Sequence, residues 1–169
     1  LPNDSASVWF TDPPYYDAIP YSDLMDFYYI WIKRSLTGLE DDISQNFSSC
    51  LSPKWDHAKQ DGELIDDPSR FDGQSQESKS SYEDGMYKAF VSCHKSLVKD
   101  GSLVVVFAHK EPNAWETLVA AIIKAGFVVV GSWPIQTERV GRMRSVASAA
   151  LSSSVWLVCK KRSPLARPG

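Results

Sequence analysis

Four short runs of apolar, mostly β-branched residues punctuate the chain and predict strands. They cover residues 8–11, 103–108, 127–130 and 155–159. The run at 103–108 is unbroken, which is typical of a strand whose two faces are both covered in a parallel sheet. The first run stops at Pro13, because proline cannot donate to a sheet ladder. We therefore expect a buried strand that ends at Asp12.

Between these runs, apolar residues recur at the three- and four-residue spacing of amphipathic helices. The spacing predicts helices over residues 21–36, 86–98 and 112–125, with Gly38 and Gly126 just beyond the first and the last. In the last helix, the residues expected to share one buried face are Trp115, Leu118, Val119, Ile122 and Ile123. In the first helix, we expect four aromatic residues to face the core: Phe27, Tyr28, Tyr29 and Trp31. Stacking on nucleic-acid bases is their alternative role.

The order of these elements predicts an α/β fold. Helical connections favour a parallel core of residues 8–11, 103–108 and 127–130. The connection before residues 155–159 leaves no room for a clear covering helix, so this strand is expected to be antiparallel, at or near the sheet edge. Nothing flanks the first strand on one side. We therefore interpret the sheet as part of a Rossmann-like sheet, mostly parallel with an antiparallel edge strand.

Charge is distributed unevenly along the chain. Residues 38–84 contain 12 Asp and Glu against 4 Lys and Arg, with few periodic apolar positions. We interpret them as a long acidic excursion, which is a lid, a recognition segment or a mobile insertion, and whose charge disfavours DNA contact. Residues 132–169 instead contain 7 basic residues against 1 acidic residue. This basic end, with its loop 136–152, is either a solvated edge or a surface for a polyanion.

Composition is that of an ordinary soluble domain. The 169 residues are 43% hydrophobic and 23% charged, with a net charge of −3, so residues 1–169 are expected to belong to one domain. No apolar stretch is long enough to span a membrane, and the first residues do not resemble a signal peptide. Cys50, Cys93 and Cys159 form no C-x-x-C pair, which argues against disulfides and a zinc site. We expect a cytoplasmic protein without a bound metal.

The tetrapeptide Asp12-Pro13-Pro14-Tyr15 is the most specific motif in the chain. The Asp12 carboxylate and the Pro13 carbonyl are two hydrogen-bond acceptors held side by side in a stiff backbone. Such a pair suits an exocyclic amino group, which has two N–H donors, and Tyr15 offers an aromatic face to a flat heterocycle. The alternative is a strand that simply ends at a Pro-Pro turn. Asp before the prolines and Tyr after them favour a site for the amino group of a base.

The segment from Val8 to Tyr15, VWFTDPPY, resembles the catalytic motif of amino-methyltransferases that modify adenine N6 or cytosine N4 in DNA. Other segments resemble the large prokaryotic adenine-specific DNA methylases described as carrying a zinc ribbon: YDAIPYSDL (16–24), VFAHK (106–110), WPIQTER (133–139) and SAAL (148–151). The resemblance covers nearly the whole chain and is weakest in 38–84. It implies the catalytic half of a methyltransferase that uses S-adenosylmethionine, with Asp12 to Tyr15 catalytic and Thr11 and Asp12 at the cofactor.

The chain departs from this family at two points. The glycine-rich cofactor loop expected before the motif has no counterpart, because the sequence contains no G-x-G. An upstream cofactor-binding segment of the same protein is therefore an expected partner, besides DNA. No cysteine cluster matches a zinc ribbon either, so no metal site is expected.

Further residues are candidates for contact with nucleic acid. His109 and Lys110 end the strand 103–108, at the rim where such sheets build sites, although a charged pair there is equally explained as the exit of the strand to solvent. The loop 136–152 combines cations and hydroxyls suited to phosphate. The candidates are Tyr16, which follows the motif directly, and His109, Lys110, Arg139, Arg142 and Arg144.

The leading hypothesis is an S-adenosylmethionine-dependent DNA amino-methyltransferase, with adenine N6 favoured over cytosine N4. RNA or a protein glutamine amide is an alternative substrate, but Asp12 stands where amide-modifying relatives carry Asn, which favours a nucleobase. A non-catalytic nucleic-acid-binding remnant is the alternative of a different class. Without the glycine-rich loop, this chain alone is expected to be inactive.

Overall fold

A computed structural model describes residues 1–15, 19–36, 54–136 and 153–163. The strands of this part are β1 (Ala6–Thr11), β2 (Trp55–Asp56), β3 (Asp61–Gly62), β4 (Leu97–Phe107), β5 (Phe127–Gln136) and β6 (Ser153–Lys161). Its helices are α1 (Tyr21–Leu36), α2 (Ser75–Ser96) and α3 (Pro112–Lys124), with a 3-10 turn at Pro68–Phe71. None of the described helices has the length and apolar character needed to cross a membrane.

The predicted α/β class is confirmed, and so are the parallel relation of β1 and β4 and the antiparallel direction of β6. The predicted mostly parallel sheet and the edge position of β6 are wrong. The four long strands form one mixed sheet in the order β1-β4-β6-β5, and β2 and β3 form a small separate hairpin. Among the described strands, only β1 and β4 pair in parallel, whereas β6 is antiparallel to both β4 and β5. The sheet is therefore mostly antiparallel, and β6 lies inside it. β1, β4 and β5 still point in one direction, because β6 reverses the direction between β4 and β5.

Burial explains why β6 occupies an inner position. Leu157 and Cys159 are buried in the core, and Trp156 on the other face is half-buried. β5 instead carries the exposed side chains of Val128 and Val130. The unbroken apolar run of β6 is buried more fully in an inner position, because β4 and β5 flank it on both sides.

The core lies between the sheet and the two helices α2 and α3. The largest fully buried side chains include Phe107, Phe127, Met86, Leu97, Leu103, Leu118 and Ile122. Nε1 of Trp9 donates to Oγ of Ser96 at 2.9 Å and ties β1 to the end of α2. The first strand is thereby fixed against the core, although it lies at the edge of the sheet.

Helix α1 is present as predicted, but its aromatic residues do not face the core of the described chain. None of its residues is buried, and Phe27, Tyr28 and Trp31 are exposed. Two side chains of β1, Val8 and Phe10, are also 59% and 55% exposed. Both elements that flank the predicted motif therefore present apolar side chains to solvent.

Part of the acidic segment 38–84 forms regular structure, whereas its residues 38–53 lie outside the described part. The remainder contains the β2–β3 hairpin, the 3-10 turn and the start of α2, which begins at Ser75 and not near Met86. The apolar pattern did not show this start, because the buried face of the first turns consists of Ser78 and Tyr82 and not of aliphatic residues. Oγ of Ser78 donates to the carboxylate of Asp66, which satisfies its hydroxyl.

Two neighbouring residues of α3 give a direct test of this fold. Ile122 is fully buried and Ile123 is 44% exposed, although the sequence pattern placed both on one buried face. We expect Ile122→Ala to lower the free energy of unfolding by about 2–5 kcal/mol, because it leaves a cavity. Ile123→Ala is the matched control and should lower it by less than about 1 kcal/mol. Urea titration followed by circular dichroism measures both values, and equal losses would contradict the packing of α3.

Candidate active site at the Asp12 turn

The predicted motif lies at the edge of the sheet that is formed by the carboxyl ends of β1, β4 and β5, which we call the carboxyl edge. Thr11, the last residue of β1, pairs with Val105 of β4, and Asp12 follows directly. β4 ends at Phe107, so the motif and the residues after Phe107 leave the sheet side by side. Open α/β sheets bind their ligands at this edge.

A pocket of about 360 Å³ opens at this edge. Its lining consists of Asp12, Pro13, Pro14, Tyr15 and Tyr21. The structure thus brings together the four residues predicted to be catalytic. It adds Tyr21, the first residue of α1, which was not singled out from the sequence. Two tyrosines in one pocket lining suit a flat aromatic ligand.

Neighbouring groups fix the ring of Tyr15. It meets the ring of Phe107 edge to face, with 5.2 Å between the centroids and 83° between the planes. Burial raises the pKa of Tyr15 above its ordinary value of 10.0, and the adjacent carboxylate of Asp12 raises it further. Tyr15 is therefore a neutral phenol at physiological pH, held beside the carboxylate that is predicted to bind an amine.

The hydroxyl of Thr11 is buried and has no hydrogen-bond partner in the described part of the chain. A buried hydroxyl without a partner is costly, and a polar ligand at this position would satisfy it. Thr11 and Asp12, which are predicted to lie at the cofactor, thus offer a ligand one unpartnered hydroxyl and one carboxylate. The glycine-rich turn that lets a backbone approach the rest of such a cofactor has no counterpart in the sequence.

The predicted contact residue His109 lies next to this site and orders the turn between β4 and α3. Its ring is nearly parallel to that of Phe107, with 6.2 Å between the centroids. Its Nδ1 accepts a hydrogen bond from the backbone N–H of Glu111 at 3.0 Å, and its carbonyl accepts one from Nε1 of Trp115 at 3.0 Å. Lys110 is exposed beside it. These contacts give His109 a structural role.

The remaining predicted contacts to nucleic acid lie outside the described residues: Tyr16, Arg139, Arg142 and Arg144. The described ends of the loop that contains the arginines are informative. β5 ends at Gln136 and β6 begins at Ser153, and these two residues pair. Because β5 runs in the same direction as β1, both ends of the loop lie at the sheet edge that carries Asp12.

Other basic residues of the carboxyl-terminal part lie at the opposite edge. Nζ of Lys160 donates to the carbonyl of Asp100 at 2.7 Å. Nζ of Lys161 pairs with the carboxylate of Asp4 at 3.2 Å. These two cations are occupied in holding the start of β4 and the segment before β1. Only part of the basic end of the chain is therefore available to the candidate site.

A polar network ties the acidic segment to the first turn of α1. The carboxylate of Glu63 accepts hydrogen bonds from the backbone N–H and the hydroxyl of Ser22, at 3.1 and 2.7 Å. Arg70, whose side chain is 7% exposed, donates to Glu63 at 2.7 Å. Lys54 donates to the carbonyl of Ser22 at 3.2 Å. A carboxylate at a helix N-terminus satisfies free N–H groups and complements the helix dipole. The network therefore holds Tyr21, the neighbour of Ser22, at the pocket.

Tyr82 of α2 was not singled out from the sequence. Its hydroxyl donates to the carbonyl of Pro14 at 2.8 Å, across 68 positions of the chain. The sequence pattern that could have identified Tyr82 is the four-residue spacing of Ser78, Tyr82 and Met86, which share one helix face. The acidic composition around them concealed that pattern.

The two cysteines in the described part of the chain show no sign of chemistry. Cys93 and Cys159 are free thiols, and both belong to the core packing. Burial raises the pKa of both, to about 11 for Cys159, so the thiols stay protonated at neutral pH and are poor nucleophiles. Within the described residues, no group of three or more His, Cys, Asp or Glu side chains is placed to hold a metal ion.

Comparison with known proteins adds no family assignment. No protein-family model matches the chain, and no curated protein is significantly similar to it. A function is therefore inferred from the motif and from the geometry of its pocket.

The titration of Glu63 gives a test of the polar network. Partial burial alone would raise the pKa of Glu63, but the hydrogen bonds from Ser22 and Arg70 outweigh it and lower this pKa below its ordinary value of 4.5. The folded state thus holds the ionised carboxylate more strongly than the unfolded state does. Its contribution to stability is present above about pH 4.5 and is lost as the pH falls through the lower folded pKa.

We expect Glu63→Gln to lower the free energy of unfolding by about 1–3 kcal/mol at neutral pH, because Arg70 then lies buried beside a neutral amide. This loss of unfolding free energy should shrink as the pH falls below 4.5, the ordinary pKa of a glutamate. Urea titrations of both proteins from neutral to acid pH measure it. Glu77→Gln on the exposed surface of α2 is the control and should change stability by less than about 0.5 kcal/mol. A loss that grows toward acid pH would contradict the sign given above.

Proposed function

We propose that this chain is the catalytic part of an S-adenosylmethionine-dependent DNA amino-methyltransferase, with adenine N6 favoured over cytosine N4 as the target. The observation that carries the proposal is the pocket at the end of β1, which Asp12, Pro13, Pro14 and Tyr15 all line. A Pro-Pro turn that only ended a strand would not need an acidic and aromatic pocket. The resemblance of residues 8–15 to a methyltransferase motif supports the same function.

The target amine is a poor nucleophile, because its lone pair is delocalised into the ring of the base. The carboxylate of Asp12 and the carbonyl of Pro13 accept hydrogen bonds from its two N–H groups, which favours a more tetrahedral nitrogen with a localised lone pair. When bound, S-adenosylmethionine supplies the electrophilic methyl group. Asp12 is exposed, so the proton that the nitrogen loses can pass through its carboxylate to solvent.

A base must leave its duplex to reach this pocket, at a cost of a few kcal/mol of unstacking. Stacking on Tyr15 offsets part of that cost, and Tyr21 supplies a second aromatic ring in the lining. Phe107 already holds the ring of Tyr15 in the free protein. Little side-chain freedom is therefore lost when the base binds, which favours affinity.

The loop with Arg139, Arg142 and Arg144 is proposed to contact DNA phosphates. Both described ends of this loop lie at the same sheet edge as Asp12, and the exposed Lys110 lies at that edge as well. Tyr16, which follows the motif, is proposed to contact the nucleic acid beside the base. Phosphate contacts of this kind position a protein on DNA without reading its sequence.

The partner proposed for this chain, besides DNA, is an upstream cofactor-binding segment of the same protein. Within the described part, β1 is an edge strand with one unpaired side, and natural proteins usually pair or cover such edges. A strand added there would place cofactor contacts beside Thr11. We call the chain together with this segment the complete enzyme, and we place it in the cytoplasm.

Two alternatives give different experimental outcomes. RNA or a protein glutamine amide could present the amine to the same acceptors. A non-catalytic nucleic-acid-binding remnant would keep the pocket without a cofactor. Of the two alternatives, the absence of a G-x-G motif favours this remnant. Transfer of a radiolabelled methyl group by the complete enzyme to DNA, RNA and protein separates the three, and transfer to none of them would reject an enzymatic function.

Asp12 and Tyr15 give the sharpest kinetic test. We expect Asp12→Ala to lower methyl transfer by at least about a hundredfold, as loss of one preorganised hydrogen-bonding group does. Tyr15→Ala should weaken base capture more than Tyr15→Phe, because stacking needs the ring and not the hydroxyl. Steady-state kinetics of the complete enzyme measure these effects, with Asp100→Ala at the opposite sheet edge as the control that keeps full activity. Equal impairment of the two Tyr15 variants would exclude the stacking role.

The 169-residue chain alone should neither transfer methyl groups nor bind S-adenosylmethionine tightly. The Asp12 turn contacts only one end of such a cofactor, and most of its usual contacts come from a glycine-rich turn and an acidic residue on another strand. Calorimetric titration of the isolated chain measures the affinity. Restored binding after addition of the upstream segment is the expected result, whereas micromolar binding by the chain alone would show that the cofactor site lies elsewhere.

A further inference from the structure

We propose that Tyr82 is a positioning residue for methyl transfer, which holds the Pro14 carbonyl and so fixes the direction in which Asp12 and the Pro13 carbonyl face the target amine. This inference rests on the proposed function and deepens it. Tyr82 does not belong to the pocket lining. It acts through the motif and not on the substrate.

The hydrogen bond between Tyr82 and the motif has ordinary geometry and is shielded from water. The hydroxyl of Tyr82 donates to the oxygen of Pro14 at 2.8 Å, and Tyr82 is only 2% exposed. Ser78 and Met86, one helical turn before and after it on α2, are buried as well. The bond therefore connects the motif to the helix that forms one side of the core.

The two consecutive prolines make this connection necessary. Pro13 and Pro14 have no backbone N–H, so neither can donate a hydrogen bond to the scaffold. These two residues can be held through hydrogen bonds only where their carbonyl groups accept them. The Pro14 oxygen is bound by Tyr82, whereas no described residue donates its backbone N–H to the Pro13 oxygen. The Pro13 carbonyl thus stays available to a substrate while its neighbour anchors the turn.

Loss of the hydroxyl would release the peptide group between Pro14 and Tyr15. That peptide group follows directly on the Pro13–Pro14 peptide group, which contains the Pro13 carbonyl, and it ends at the nitrogen of Tyr15. Its release therefore frees both the Pro13 carbonyl and the Tyr15 ring to move. Because a displacement of about 1 Å in a reacting group can cost about a hundredfold in rate, we expect Tyr82→Phe to lower kcat by about tenfold to a hundredfold. The affinity for S-adenosylmethionine should change far less than kcat, because most contacts of such a cofactor lie outside the Asp12 turn.

The kinetic experiment compares Tyr82→Phe with Tyr87→Phe in the complete enzyme. Tyr87 lies on the same helix, where its ring packs under Nζ of Lys124 at 4.5 Å. Tyr87→Phe also removes one tyrosine hydroxyl, from a residue that does not line the pocket. Its kcat should therefore equal that of the wild type. Both variants are assayed well below their melting temperatures, so that a loss of stability does not lower kcat.

A second measurement reports on the bond without requiring activity. The chain contains two Pro–Tyr peptide bonds, Pro14–Tyr15 and Pro20–Tyr21. Labelling with carbonyl-13C proline and 15N tyrosine therefore gives two cross-peaks in a carbonyl–amide NMR spectrum of the 169-residue chain. We expect Tyr82→Phe to shift the Pro14 carbonyl signal and to leave the Pro20 signal in place.

A reduced kcat together with a shifted Pro14 signal supports the proposal. An unchanged Pro14 signal overturns it, and so does wild-type kcat in Tyr82→Phe or an equal loss of kcat in Tyr87→Phe. A wild-type enzyme that methylates no substrate overturns the proposed function and, with it, the role of Tyr82 in catalysis. The Pro14 signal still shows in that case whether the hydrogen bond exists, so the two failures are distinguishable.

Discussion

The parallel pairing of β1 with β4 is the constraint on which the candidate site depends. The register that sets Thr11 opposite Val105 makes both strands end at one edge, where Tyr15 reaches Phe107. Parallel strands cannot be joined by a tight turn, so the chain must make a long connection before it returns as β4. The residues that support the motif lie on that connection: Ser22, Glu63, Arg70 and Tyr82.

Part of the acidic character of this connection follows from the needs of a buried cation. Arg70 is almost fully buried, and a buried guanidinium requires carboxylates around it. Glu63, Asp67 and Asp23 lie within 2.7, 3.4 and 3.8 Å of its nitrogens. Carboxylates neutralised in this way repel DNA less than free ones. An acidic segment can therefore stand beside the proposed DNA-binding edge where its carboxylates are paired, as those of Glu63 and Asp67 are with Arg70.

The sequence predicted those features that depend on local pattern, and not those that depend on distant contacts. The end of β1 at the prolines and the helix α1 follow from a few adjacent residues. The contacts of Tyr82 with Pro14 and of Glu63 with Ser22 join positions 68 and 41 residues apart, and no periodicity reports on them. The burial of Ile122 but not Ile123 also depends on which helix α3 meets. The position of β6 was missed because a connection without a covering helix indicates that two strands pair but not which other strand lies beside them.

The observed strand order also limits what the arginine loop can do in the proposed complex. Strands are about 4.8 Å apart, so β5, three positions from β1, ends about 14 Å from the motif. Arg139 follows Gln136 by three residues, which span at most about 11 Å. The backbone of Arg139 therefore cannot reach the motif, and any contact of this residue at the pocket in the proposed complex is made by its side chain. Such contacts add affinity that depends on salt concentration, whereas recognition of the amine is left to Asp12 and the Pro13 carbonyl.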